Sequence, residues 1–137
     1  MRFIRPIFAA FLAIFTLSSA SVFASDYSVT YAIDANGKND VGKIEACDDD
    51  RVCFLESANT GLSISLSFIR PNHRWVELYV SGPAGCCYSA DANYAINLEI
   101  KPGLMRVPIY RGRVRRGNEF VQNKRFGVLY LEFSNLR

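Results

Sequence analysis

Residues 62–68 read LSISLSF. Leu62, Ile64, Leu66 and Phe68 alternate with Ser63, Ser65 and Ser67. A period of two puts the four apolar side chains on one face of an extended strand and the three hydroxyls on the other. An antiparallel sheet with one packed face and one wet face needs this pattern. The next segment, WVELYVS at 75–81, sets Val76, Leu78 and Val80 opposite Trp75, Glu77 and Tyr79. Both of its faces carry apolar area, so it reads as a central strand. The polar turn Arg70-Pro71-Asn72-His73-Arg74 separates the two.

The same reading extends both ways along the chain. Residues 27–34, YSVTYAID, alternate and close on Asn36-Gly37, a strong turn pair for a two-residue hairpin loop. Residues 94–100 alternate Tyr94, Ile96, Leu98 and Ile100 with Ala95, Asn97 and Glu99. Lys101-Pro102-Gly103 follows, where Pro then Gly suits a type II turn. Val107 and Ile109 begin a further strand, and GVLYLEF at 127–133 is the last. Shorter candidates at 43–47 and 52–57 flank the acidic run Asp48-Asp49-Asp50. Seven to nine short strands result, with no sustained helical period after residue 24 and no room for parallel crossovers. The expected fold is all-β: a single antiparallel β-sandwich or small β-barrel.

The N-terminus reads differently. Arg2 and Arg5 precede an apolar run over 7–17, and small and polar residues follow, ending Val22-Phe23-Ala24. This is the pattern of a secretory signal over 1–24, too short to span a bilayer as a resident helix. Residues 25–137 are then a single disulfide-containing β domain that matures in the periplasm or outside the cell. No later stretch approaches the ~20 apolar residues of a membrane-crossing helix. Charged residues make up 21% of the chain and aromatic ones 13%, which excludes a disordered composition.

Charge is segregated along the chain. Residues 25–99 hold five Lys or Arg against eleven acids, and residues 100–137 hold nine against two. Such a division steers an oppositely charged partner, or neutralises itself across neighbouring strands.

Cys47, Cys53, Cys86 and Cys87 allow three pairings in an oxidising compartment. Cys47 and Cys53 bracket an apparent hairpin and could face each other across it. Bridging the neighbours Cys86 and Cys87 is unfavourable across a trans peptide, whose α-carbons sit about 3.8 Å apart, below the usual disulfide span. The alternative ties Cys47 and Cys53 separately to Cys86 and Cys87. On the loop-entropy account a closure of about 40 residues stabilises by roughly 3.9 kcal/mol, against about 2.4 for a seven-residue ring. Loop entropy favours the long-range pairing and hairpin geometry the local one. The run Gly82-Pro83-Ala84-Gly85-Cys86-Cys87-Tyr88 reads either as a rigid loop presenting Tyr88 or as a staple at a strand end.

Signatures of catalysis are scarce. There is no G-x-S-x-G elbow, phosphate-cradling loop or dinucleotide fingerprint, and Asp48-Asp49-Asp50 lacks the spacing of a calcium loop. No metal site and no cofactor are expected. One catalytic arrangement fits: a small secreted nuclease with Glu77 as base, His73 as acid and an Arg from 111–116 on the phosphate.

The basic stretch RGRVRR at 111–116 is more distinctive. Strand alternation projects Arg111, Arg113 and Arg115 onto one face and Val114 and Arg116 onto the other, ahead of a Gly117-Asn118 turn. Lys124 and Arg125 fall on the returning arm, so paired arms gather about six positive charges with Tyr110 and Phe120 alongside. This surface suits phosphates, anionic glycans, lipid head groups or an acidic protein. It equally suits an edge strand protected against sheet-to-sheet aggregation. The expectation is an exported, non-catalytic binding module acting as an inhibitor, an immunity-type protector or a host-directed effector. Its contacts would be Arg111, Arg113, Arg115, Arg116, Lys124, Arg125 and Tyr88. Its partner would be a protein or anionic macromolecule outside the cytoplasm, with nucleic acid admitted but not favoured. The alternatives are the nuclease and a binder of anionic lipid or polymer.

Overall fold

The computed structural model describes residues 26–48, 50–69, 74–83, 86–122 and 124–136. The expected signal segment, His73 and its turn residues 70–72, Asp49, and Ala84 and Gly85 lie outside them.

Ten strands and no helix occupy the described residues: β1 (Asp26–Ala35), β2 (Lys38–Asp48), β3 (Cys53–Ser57), β4 (Leu62–Ile69), β5 (Trp75–Ser81), β6 (Ala95–Glu99), β7 (Met105–Tyr110), β8 (Arg113–Arg116), β9 (Glu119–Gln122) and β10 (Arg125–Ser134). That is one more than the upper expectation, because the basic stretch and its return form two short strands of their own. β2-β1-β10-β7 make one four-stranded sheet and β3-β4-β5-β6 the other, all pairs antiparallel, with β8-β9 a separate two-stranded ladder. The architecture is a β-sandwich.

The alternations in the sequence become the core. Leu62, Ile64 and Leu66 of β4 and Val76, Leu78 and Val80 of β5 point inward, against Val29 and Ile33 of β1, Ile109 of β7, and Leu129 and Leu131 of β10; all are buried in one cluster. Tyr27 is buried too, its ring 4.8 Å from that of Phe68 in an edge-on contact that joins the sheets. As expected, β5 is an interior strand, between β4 and β6. The turn residues Asn36 and Gly37 both take positive φ, 57° and 73°, as a type I′ hairpin between β1 and β2 requires.

The chain changes sheets between β2 and β3, so the apparent hairpin around the acidic run is not one. β2 pairs with β1, and β3 with β4. The Cys47–Cys53 disulfide therefore ties an edge strand of one sheet to an edge strand of the other. On the same edge Ser57 Oγ donates to Asp40 Oδ2 at 2.6 Å and accepts from Thr60 Oγ1 at 2.7 Å. Cys86 and Cys87 are bridged to each other across a cis peptide, so the long-range pairing does not occur.

Candidate functional site

β7 and β10 pair as far as Tyr110 and Arg125, and the Arg111 N–H then donates to the Lys124 carbonyl at 2.9 Å. Beyond Gly112 the two arms continue as β8 and β9, in a register running from Arg113 opposite Gln122 to Arg116 opposite Glu119. The basic segment is thus a ribbon that extends the β7–β10 hairpin past the sandwich and belongs to neither four-stranded sheet. Arg113 and Arg115 share one face with Phe120, while Val114 and Arg116 share the other with Val121 and Glu119, as strand alternation dictates.

Arg111 departs from that expectation. The chain bends at Arg111 and Gly112, outside the strands, and turns the Arg111 side chain away from the ribbon face. Its guanidinium donates to Asn36 Oδ1 at 3.3 Å and lies 5.4 Å from the centre of the Phe126 ring. The register slips between Arg125 and Gly127, and Phe126, the extra residue, is buried. Arg111, though exposed like Arg113, Arg115, Arg116, Lys124 and Arg125, therefore braces the base of the ribbon.

The loop carrying Tyr88 meets this ribbon. Two backbone hydrogen bonds, Tyr88 N–H to the Tyr110 carbonyl at 3.0 Å and Tyr110 N–H to the Tyr88 carbonyl at 2.9 Å, splice the loop onto the end of β7. Cys86 and Cys87 just before it are buried in the core, so Tyr88 is fixed from both sides. The Arg113 guanidinium sits 5.4 Å from the Tyr88 ring centre and 4.3 Å from that of Phe120, held between two aromatic rings. The basic stretch and the Cys86-Cys87-Tyr88 loop, separate in the sequence, form one surface.

That surface extends further than the sequence reading placed it. After Tyr88 the chain makes a tight turn: Ser89 N–H donates to the Asn93 carbonyl, Asn93 N–H to Ser89 Oγ, and Ala92 N–H to the Ser89 carbonyl. This turn returns Tyr94 to within 5.8 Å of the Tyr88 ring, and Tyr79 of β5 lies 5.9 Å beyond Tyr94. Tyr79 and Tyr94 are 39% and 49% exposed. With Phe54, which lies across β4 from Tyr79, and Ser63 and Ser65, they border a shallow depression of about 140 Å³ on the outer face of the β3–β6 sheet. The outward alternation of Trp75, Glu77 and Tyr79 was the available signal for this row. Its continuation to Tyr88 depends on the Ser89 turn and carries no local pattern.

The electrostatics of the two ends differ. The ion pairs among the described residues join Lys43 to Glu45, Arg51 to Asp48 and Arg74 to Glu99, so the ribbon's cations have no carboxylate at salt-bridge distance there. At the other end the Glu77 carboxylate, by hydrogen bonding and by charge, holds the Tyr79 hydroxyl above the ordinary tyrosine range. Among the described residues no three His, Cys, Asp or Glu are grouped to hold a metal ion, and no helix is long and apolar enough to cross a membrane. The chain matches no protein-family model, no curated protein and no solved structure.

Proposed function

We propose that this chain is an exported, non-catalytic binding module that engages an acidic macromolecule through the β8–β9 ribbon and the Tyr88 loop. The observation that carries the reading is the placement of Arg113 between Tyr88 and Phe120, with Arg115, Arg116, Lys124 and Arg125 exposed around it and unpaired with carboxylates among the described residues. Arginine held over aromatic rings is pre-organised. It loses little side-chain entropy when it captures a carboxylate, sulfate or phosphate. A ribbon outside both four-stranded sheets has no packing role that would call for such a concentration of charge. The two disulfides and the leader-like sequence at 1–24 support export. An inhibitor, a protector against a toxin and a host-directed effector all use a surface of this kind.

Retention on a heparin column, used as a generic polyanion, tests the reading. The variant Arg113→Ser, Arg115→Ser, Arg116→Ser keeps the brace at Arg111. It elutes at lower salt than the parent, with its circular dichroism unchanged. The slope of log retention against log salt falls by about three, one for each charge removed. Equal elution of parent and variant removes the reading.

A further inference from the structure

The row Tyr79, Tyr94, Tyr88 leads away from the ribbon over a surface of different character, and that difference selects a partner. The ring centres are 5.9 and 5.8 Å apart, and the rings are turned by 52° and 69° to one another. Successive flat units of a ligand that are themselves rotated fit such a row; a stack of coplanar units does not. The C–H face of a sugar ring carries slight positive charge and packs on the negative face of an aromatic ring. Ser63, Ser65 and Ser81 border the depression beside Tyr79 and offer hydroxyls to a polyhydroxylated ligand. Glu77 lies two residues from Tyr79 on the same outward face of β5, an acceptor for sugar hydroxyls whose charge repels a polymer bearing an anion on every unit. Arg113 and Arg115, at the ribbon end, want an anion.

We propose that the outer face of β3–β6 binds a polysaccharide in which uncharged sugars alternate with carboxylated ones. Its rings lie along Tyr79, Tyr94 and Tyr88, and its carboxylates reach Arg113 and Arg115. The inference rests on the ribbon being the site for an acidic partner, and it names that partner's class. A uniformly charged strand, such as single-stranded nucleic acid with its bases unstacked and turned, would gain the same ring contacts but would bring a phosphate against Glu77.

The test measures binding of a hyaluronan decamer, which alternates glucuronate with an uncharged amino sugar, by isothermal titration at physiological salt. A deoxythymidine decamer and heparin retention run beside it. The parent binds hyaluronan more tightly than the DNA decamer. Tyr94→Ala and Tyr79→Ala each weaken hyaluronan binding tenfold or more and leave heparin retention and melting temperature unchanged, while Tyr94→Phe retains binding. Arg113→Ser with Arg115→Ser weakens both hyaluronan binding and heparin retention. Heparin retention without hyaluronan binding, or hyaluronan binding indifferent to both tyrosine variants, overturns the glycan inference and leaves the ribbon reading standing. Tighter binding of the DNA decamer overturns it in favour of nucleic acid. Absence of both heparin retention and hyaluronan binding removes the ribbon reading and the inference together.

Discussion

Tyr79 and Glu77 stand on adjacent outward positions of β5, and their pairing fixes the protonation state of the row's far end. The carboxylate accepts from the phenol and opposes its ionisation, so Tyr79 stays neutral past the pH at which an ordinary tyrosine titrates. The fold thus favours the protonated form. Its small contribution is present at neutral pH and is lost as pH rises through the raised value. In a tyrosine-resolved NMR titration Tyr79 ionises at higher pH than a free tyrosine does, and Glu77→Gln brings it down towards the ordinary value. No change on that substitution would detach the shift from Glu77. The outward facing of Tyr79 was legible in the alternation of residues 75–81, because each strand residue's face follows from its neighbour's. The separate roles of Arg111 and Arg113 were not. A bend at Arg111 and Gly112 breaks the alternation, and no strand rule reports where the bend points the side chain.

Strands built from strong local alternation, β4 and β5 above all, were legible together with their pairing, since a short turn makes sequence neighbours into sheet neighbours. Sheet membership of β2 and β3 was not, because a short acidic connection is compatible with a hairpin and with a step between sheets. The same holds for the pairing of the first strand with the last, which no local signal announces. The step between sheets gives the Cys47–Cys53 bridge its work: with the Asp40–Ser57 hydrogen bond it closes one open edge of the sandwich. The splice of Tyr88 onto Tyr110 binds the β5–β6 connection to the edge strand β7. Replacing Cys47 and Cys53 together with Ser lowers the unfolding free energy by about 2.4 kcal/mol on the loop-entropy account. Urea titration checks it, and a loss near zero would mean that the Asp40–Ser57 contact and the core hold that edge unaided. A two-stranded ribbon alone is marginal in water. β8–β9 is held at its base by the Arg111 contacts to Asn36 and Phe126 and by the backbone hydrogen bond from Arg111 to Lys124.

For the molecule as a whole, the uneven charge of the sequence acquires a location: six of the nine cations of residues 100–137 lie between 111 and 125, on the ribbon and its base. The proposed export predicts that mass spectrometry of native material finds Ser25 as the first residue; an intact leader would contradict it. β1 and β10 run antiparallel side by side, with Ser28 opposite Ser134 at one extremity and Ala35 opposite Gly127 at the other. The seven residue steps of β10 from Gly127 to Ser134 carry the chain roughly 23 Å between these extremities. The ribbon continues from the second, so both outer strand ends hang from the pole opposite the cations. A bead, a fused domain or an envelope tether joined through either of those strand ends is thereby kept a full strand's length from the arginines, which face outward, clear of whatever holds the molecule.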